Sequence, residues 1–192
     1  AQYNVAVGYD ALKDVTGADR SVAVGSGAGA NITDGVSNIA IGTNALFTST
    51  TADECVAVGD AALYALNHAT DADGSVAVGF EALKALTSGV GNVAIGYQAL
   101  LGMTTGSANL AIGYGAMDGT ANAPSSDNNV MIGNNSGGGT WASGESYNNV
   151  AVGREALNQN TTASNNTAVG KDALTANTTG TQNAAVGANA LD

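Results

Sequence analysis

The chain has little of what most enzymes and nucleic-acid-binding proteins depend on. Its 192 residues include one cysteine, one histidine and one proline, and 16 acidic residues outnumber five basic ones for a net charge of −11. The single cysteine, Cys55, excludes an intramolecular disulfide framework. The basic residues are scattered, whereas nucleic acids and anionic membranes bind clustered Lys and Arg. They are Lys13, Arg20, Lys84, Arg154 and Lys171. No segment is long and apolar enough to insert into a bilayer.

The sequence also lacks the residue groupings of a catalytic or metal site. The only histidine, His68, has no Cys or Ser partner at a recognisable nucleophile spacing and is expected on a surface loop. Asp71 and Asp73 precede Gly74 in a pattern that resembles part of a calcium loop, but the rest of the EF-hand spacing is missing. An ordinary polar turn is therefore favoured there, with calcium as the alternative. We predict no enzyme activity, no catalytic residue, no metal and no cofactor.

What the chain does contain is one short motif, repeated eleven times. Residues 92–96 read Asn-Val-Ala-Ile-Gly, and each copy ends in an equivalent glycine. These glycines are Gly8, Gly25, Gly42, Gly59, Gly79, Gly96, Gly113, Gly133, Gly153, Gly170 and Gly187. Seven of the ten intervals between them are 17 residues and three are 20. Such a period is typical of solenoids, whose units bury their apolar faces against their neighbours. We predict an all-β, parallel β-solenoid (β-roll) of about eleven coils, one domain over residues 1–192 of a longer fibre or surface protein.

The three residues before each glycine predict a β-strand. Val or Ile precedes the glycine in every repeat, the residue two positions earlier is mostly Val, and the residue between them is Ala in ten repeats. This alternation predicts a strand with its larger Val and Ile side chains turned inward. A row of alanines would then face outward, where a second chain could pack closely, so Ala6, Ala94, Ala111 and Ala151 are predicted at an oligomer interface. The alternative is that small residues relieve crowding beside the turn.

The second half of each coil repeats more loosely. An Ala-Leu pair follows most glycines and predicts a second short strand with Leu in the core. Threonine lies eight positions after the glycine in every 17-residue repeat, and Asn opens the strand in eight repeats, so both should form ladders of like side chains between coils. Eleven coils at a strand spacing of about 4.8 Å would make a rod roughly 50 Å long.

Aromatic residues are the candidates for ligand binding. Trp141 and Tyr147 lie in the second of two consecutive 20-residue repeats, and an aromatic face can stack on a sugar. The alternative for Trp141 is a lid folded back over a coil that has Gly137 in place of Leu. Phe80, Tyr97 and Tyr114 follow three successive glycines and should stack, either to stabilise the coils or as a ligand platform; Phe47 and Tyr64 form a second short column.

The Asn/Ser-Val-Ala-Val/Ile-Gly core resembles the head repeat of trimeric autotransporter adhesins. The longer form Ala-Val-Gly-Tyr-x-Ala-Leu is similar to repeats in phage tail-fibre proteins. This resemblance covers essentially the whole chain and implies a left-handed roll, three chains side by side, an extracellular location on a bacterial cell or a virion, and a role in attachment. The repeat of 17 residues is longer than that of most autotransporter heads.

Three functions are consistent with these features. The first is a structural and adhesive fibre module, homotrimeric, that attaches to a host-surface receptor or glycan. The second is a filament subunit without a ligand of its own, and the third, less favoured, is an ice-binding solenoid that uses its Thr column. No nucleic acid partner and no membrane insertion of this segment are expected.

Overall fold

In a computed structural model, which describes residues 1–66, 73–120, 125–141 and 146–192, the chain forms a parallel β-solenoid of about ten turns. Eleven three-residue strands make one sheet in which each strand pairs with the strands before and after it in the sequence. The strands are β1 (Val5–Val7), β2 (Val22–Val24), β3 (Ile39–Ile41), β4 (Val56–Val58), β5 (Val76–Val78), β6 (Val93–Ile95), β7 (Leu110–Ile112), β8 (Val130–Ile132), β9 (Val150–Val152), β10 (Thr167–Val169) and β11 (Ala184–Val186). The predicted all-β solenoid is confirmed.

The register of the sheet follows the repeat. Ala94 at the centre of β6 pairs with Ala77 of β5 and with Ala111 of β7. Where the repeat lengthens to 20 residues the register is kept, since Ala57 of β4 pairs with Ala77. The three extra residues are therefore accommodated outside the strands, and equivalent side chains stack directly above one another along the whole rod.

The side chains on the two faces of the sheet point in the directions opposite to those predicted. The central Ala of the strands is buried, with Ala94 at 0% exposure, whereas Ile95 beside it is 39% exposed. The prediction that Val and Ile point inward was wrong. The physical reason is the small cross-section of a 17-residue coil: its interior already holds an Ala-Leu pair and a further side chain from the opposite corner. Only a methyl group fits beneath the strand.

The second strand predicted for each coil is absent from the described residues. The Ala-Leu segments form turns, and the leucine adopts a left-handed backbone conformation, as at Leu100 with φ of 54°. Both members of the pair point into the core, since Ala99 and Leu100 are each 0% exposed.

The glycine that ends each strand is required for two reasons. Gly96 has a φ of +139°, which side-chain-bearing residues rarely adopt, and a Cβ atom there would lie 2.3 Å from the carbonyl oxygen of Gly113 in the next coil. Adjacent coils thus meet backbone to backbone at this corner, which fixes the spacing of the exposed residues on either side of it.

Two ladders of polar side chains connect the coils, as the sequence predicts. The Oδ1 atom of Asn129 accepts hydrogen bonds from the backbone N–H and the side-chain amide of Asn149, at 3.0 and 3.1 Å. The same pattern runs through six buried or half-buried asparagines. They are Asn92, Asn109, Asn129, Asn149, Asn166 and Asn183. At the other corner, the Thr87 hydroxyl donates to the carbonyl of Thr104 at 2.9 Å. Each ladder supplies partners for polar groups that stacking removes from water.

Candidate interaction surface

The outward side of the sheet is a long, predominantly apolar surface. We call the first and third residues of all eleven strands the Val/Ile strip; every member is Val, Ile or Leu except Thr167 and Ala184. The strip is half-buried to exposed throughout, as with Ile39 and Ile41 at 37% and 39%. Strand spacing of about 4.8 Å makes it roughly 50 Å long. An apolar surface of this length on a small protein is typical of a site of association.

The alanines predicted at an oligomer interface lie on the other side of the sheet. Ala94, Ala111 and Ala151 are each 0% exposed, inside the coil, so a second chain cannot reach them without opening the fold. Ala6 occupies the equivalent position in β1, paired with Ala23, and is exposed in this first coil. The interface prediction was therefore wrong for Ala94, Ala111 and Ala151, and for Ala6 it stays a prediction. The residues of the Val/Ile strip can be recognised in the sequence, but the alternation predicts them in the core.

Phe80, Tyr97 and Tyr114, which we call the aromatic ladder, stack on one another as predicted. Ring centroids are 5.2 Å apart for the first pair and 5.0 Å for the second, and the ring planes are within 14° and 5° of parallel. The side chains are 42%, 42% and 56% exposed. A second pair, Phe47 and Tyr64, stacks at 5.5 Å. Because neighbouring rings cover each other's faces, the ladder presents mainly ring edges to the outside. This geometry favours cross-coil stabilisation over a flat platform for sugars.

A polar cluster lies beside the ladder. The Glu81 carboxylate accepts hydrogen bonds from Lys84 Nζ at 2.5 Å and from Gln98 Nε2 at 2.7 Å. The hydrogen bond from Lys84, followed by that from Gln98, lowers the pKa of the Glu81 carboxyl below its ordinary value. Glu81 and Gln98 directly follow Phe80 and Tyr97, so this cluster links successive coils beside the stacked rings.

Trp141 is part of the core. It is 0% exposed, and its indole Nε1 donates to the carbonyl of Gly137 at 2.8 Å. The prediction of Trp141 as a ligand-binding residue was wrong, and the alternative of a side chain folded over the coil that lacks its Leu is confirmed. Met131, which replaces the strand alanine in the same coil, is also fully buried. Two large side chains thus fill the space that the missing leucine leaves.

The remaining candidates do not form one site with the aromatic ladder. Tyr147 is half-buried, and its backbone N–H donates to Ser164 Oγ at 2.9 Å. Asp73 Oδ1 accepts the backbone N–H of Asp53 at 2.9 Å, as a turn residue would. His68 and Asp71 lie outside the described residues, as does Pro124 in the 20-residue repeat between Gly113 and Gly133. Among the residues that the structure describes, no three His, Cys, Asp or Glu side chains are grouped as a metal site needs.

The charged side chains give no basic patch in the described residues. Lys13, Lys84, Arg154 and Lys171 each lie within ion-pair distance of a neighbouring carboxylate, for example Arg154 with Glu155 at 2.6 Å. Hydrogen bonding to Glu155 raises the pKa of the Arg154 guanidinium above its ordinary value. No helix in the described part of the chain is long and apolar enough to cross a membrane.

No protein-family model matches the chain, and no curated protein and no solved structure is similar enough to be matched. Its function must therefore be inferred from the geometry of the rod and of the Val/Ile strip.

Proposed function

We propose that the chain is a structural module of an extracellular fibre or adhesin, a rod that associates side by side with further copies of itself through the Val/Ile strip. The observation that carries this proposal is the outward strip of β-branched residues on eleven stacked strands, with the alanine side buried. An apolar surface with no charged residue over about 50 Å is costly to leave in water. A second copy has the same spacing between its coils, so the two strips can interdigitate along their full length.

A parallel homotrimer of left-handed rolls is the arrangement that we favour. Three strips facing a common axis would all be covered at once, whereas a face-to-face dimer leaves the sides of each strip open. The resemblance of the repeat to trimeric autotransporter heads and phage fibres supports the same number of chains and an extracellular location.

Attachment to a host-surface receptor or glycan is the role that we propose for the assembled rod. The support is the repeat's resemblance to adhesin heads and the rigidity that two polar ladders and stacked coils give the rod. The loops of the 20-residue repeats would carry recognition. The burial of Trp141 and the mutual stacking of Phe80, Tyr97 and Tyr114 favour the second candidate, a filament subunit without a ligand.

The ice-binding alternative loses support from the threonine column. The hydroxyls of Thr16, Thr87 and Thr161 donate to carbonyl oxygens of the next coil, at 3.3, 2.9 and 2.7 Å. These three hydroxyls are therefore engaged within the rod and do not form a free outward row for binding ice.

The first test is the solution mass of the chain, by size exclusion with multi-angle light scattering. A discrete species at three times the 18.7 kDa chain mass supports the trimer, and a monomer at every concentration up to 100 µM would refute side-by-side association. The trimer would then be applied to glycan arrays and host cells. Specific binding supports the adhesive role, whereas no binding together with open-ended filaments in negative stain favours the filament subunit.

A further inference from the structure

We propose that the aromatic ladder of one chain seats against Gly74, Gly91 and Ala108 of a second copy that lies parallel to it and level with it. This inference rests on the proposed side-by-side association and adds its register and its contact residues. We call Gly74, Gly91 and Ala108 the small-residue flank.

The aromatic ladder and the small-residue flank border opposite edges of the Val/Ile strip. In each coil, one residue lies two positions after the strand and another lies two positions before it, and beside β5, β6 and β7 both are exposed. For β6 these are Tyr97 and Gly91, on either side of Val93–Ile95. A chain that covers the strip must therefore meet both edges.

In three successive coils a small residue on one edge lies level with an aromatic residue on the other, whereas Tyr9 after β1 lies level with Tyr3. The aromatic residues Phe80, Tyr97 and Tyr114 follow β5, β6 and β7, and the small-residue flank precedes the same three strands. The other eight strands are preceded at this position by larger side chains. These are Tyr3, Arg20, Ser37, Glu54, Asn128, Asn148, Asn165 and Gln182. The three smallest residues of one edge thus lie level with the three consecutive aromatic residues of the other edge.

No contact in the described part of the chain requires Gly74 and Gly91 to be glycines. Their φ angles of 69° and 65° are close to the 55–61° that nine side-chain-bearing residues adopt at the same position in other coils, Arg20 and Gln182 among them. A Cβ atom built at either glycine has no atom of the described residues within 4 Å. The described residues therefore leave the space beside these glycines open, and a side chain from another molecule can occupy it.

Symmetry decides the orientation of the second copy. Rotation about an axis parallel to the rod relates the two chains without shifting either along the rod. The ladder edge of one chain then meets the flank edge of its neighbour at the same height. The rings of β5, β6 and β7 then face Gly74, Gly91 and Ala108. An antiparallel copy would instead place ladder against ladder, with the bulky residues of both chains at the same edge. Size complementarity selects parallel, level chains, as in a cyclic trimer or dimer.

The same arrangement brings Asp60 of one chain opposite Glu54 of the next, beside β4. Two carboxylates on one seam repel each other, and salt screens that repulsion. We therefore expect association to strengthen, not weaken, as the salt concentration rises.

The direct test fills the open space beside Gly91 with a larger side chain. Gly91→Gln places a side chain that Gln182 carries at the same φ, so the fold should keep its far-UV circular dichroism and melting temperature to within a few degrees. We expect its dissociation constant, from analytical ultracentrifugation, to rise at least tenfold. Ser37→Gln is the matched control: it lies at the same position before β3, where the opposite residue is Thr43, and should shift the constant less than threefold. Adding Tyr97→Ala to Gly91→Gln should recover part of the lost affinity.

A cross-linking test measures the register without touching the ladder. In a Cys55→Ser background, Thr43→Cys and Ser37→Cys are placed in one chain and treated with a short bis-maleimide. Parallel, level chains give covalent dimers and trimers joined from residue 43 to residue 37, whereas no 43–37 product would overturn the inference. If the wild-type chain associates but Gly91→Gln and Ser37→Gln behave alike, this inference fails alone. If the wild-type chain is a monomer throughout, the proposed function fails with it.

Discussion

Gly137 and Met131 lie so close together that a Cβ atom added to the glycine would come within 2.8 Å of the methionine Sδ. Met131 replaces the buried strand alanine and Gly137 replaces the buried leucine, in the same coil. One large side chain and one missing side chain exchange places, so the volume of the core is conserved along the rod. A coil this narrow tolerates a change at one position only when its neighbour compensates.

This pair can be tested by a double-mutant cycle. Met131→Ala should cost about 2–5 kcal/mol of unfolding free energy because it leaves a cavity. Gly137→Leu alone should cost about 1–3 kcal/mol through overpacking, although its φ of 60° is close to the 54° of Leu100. The double variant places a leucine where the methionine is removed and should be more stable than Met131→Ala. Strictly additive losses in urea unfolding would contradict the compensation.

The asparagine ladder predicts a large difference between two adjacent residues. Asn129→Ala leaves the buried N–H of Asn149 without the acceptor that it uses at 3.0 Å, at about 1–3 kcal/mol for each buried group left unpaired. Asn128→Ala, at an exposed position where Ala108 has nearly the same φ, should change the unfolding free energy by no more than about 0.5 kcal/mol. Equal losses for the two variants would show that the ladder does not stabilise the rod.

Trp141 gives a clean spectroscopic test because it is the only tryptophan. A fully buried indole predicts blue-shifted emission and little quenching by acrylamide in the folded chain. Trp141→Ala should cost about 3–5 kcal/mol, and Trp141→Phe less, since part of the packing remains. Emission near that of the unfolded chain, with free quenching, would return Trp141 to the list of recognition residues.

Cys55 predicts a specific loss of stability in alkali. Burial raises the pKa of its thiol from 9.0 to about 11. The folded state then holds the proton more tightly than the unfolded state, so this contribution is fully present below pH 9 and decreases as the pH rises toward 11. The melting temperature of the wild-type chain should fall more steeply between pH 9 and 10.5 than that of Cys55→Ser, which does not titrate there. Parallel curves would refute this, as would rapid reaction of the folded thiol with Ellman's reagent at pH 8.

The spacing of the glycines is enough to predict the number of strands, their parallel order and their register. Every strand pairs with the three residues that the repeat places 17 or 20 positions away, as Ala94 does with Ala77 and Ala111. The ladders of Asn and Thr follow from the same arithmetic, since identical coils must superimpose identical side chains. The stacking of Phe80, Tyr97 and Tyr114 follows for the same reason.

The orientation of the strands could not be predicted from alternation alone. A period of two defines two faces but does not say which one is inside, and burying Val and Ile is the ordinary choice. Here the volume inside the coil decides, because Leu100 and Met103 already fill it and leave room only for Ala94. The left-handed backbone conformation at Leu100 could not be predicted from the sequence either, because that conformation is usually adopted by Gly or Asn. The predicted second strand failed for that reason.

Adjacent substitutions on one strand test the central claim most directly. Ile95→Glu and Ala94→Glu would be compared by circular dichroism and by light-scattering mass. We predict that Ile95→Glu stays folded but falls to the 18.7 kDa monomer, because a charge is placed in the Val/Ile strip. Ala94→Glu should fail to fold, because its charge would be buried inside the coil. A folded, monomeric Ala94→Glu beside a folded, fully associated Ile95→Glu would contradict the account, since it would place the interface on the alanine side.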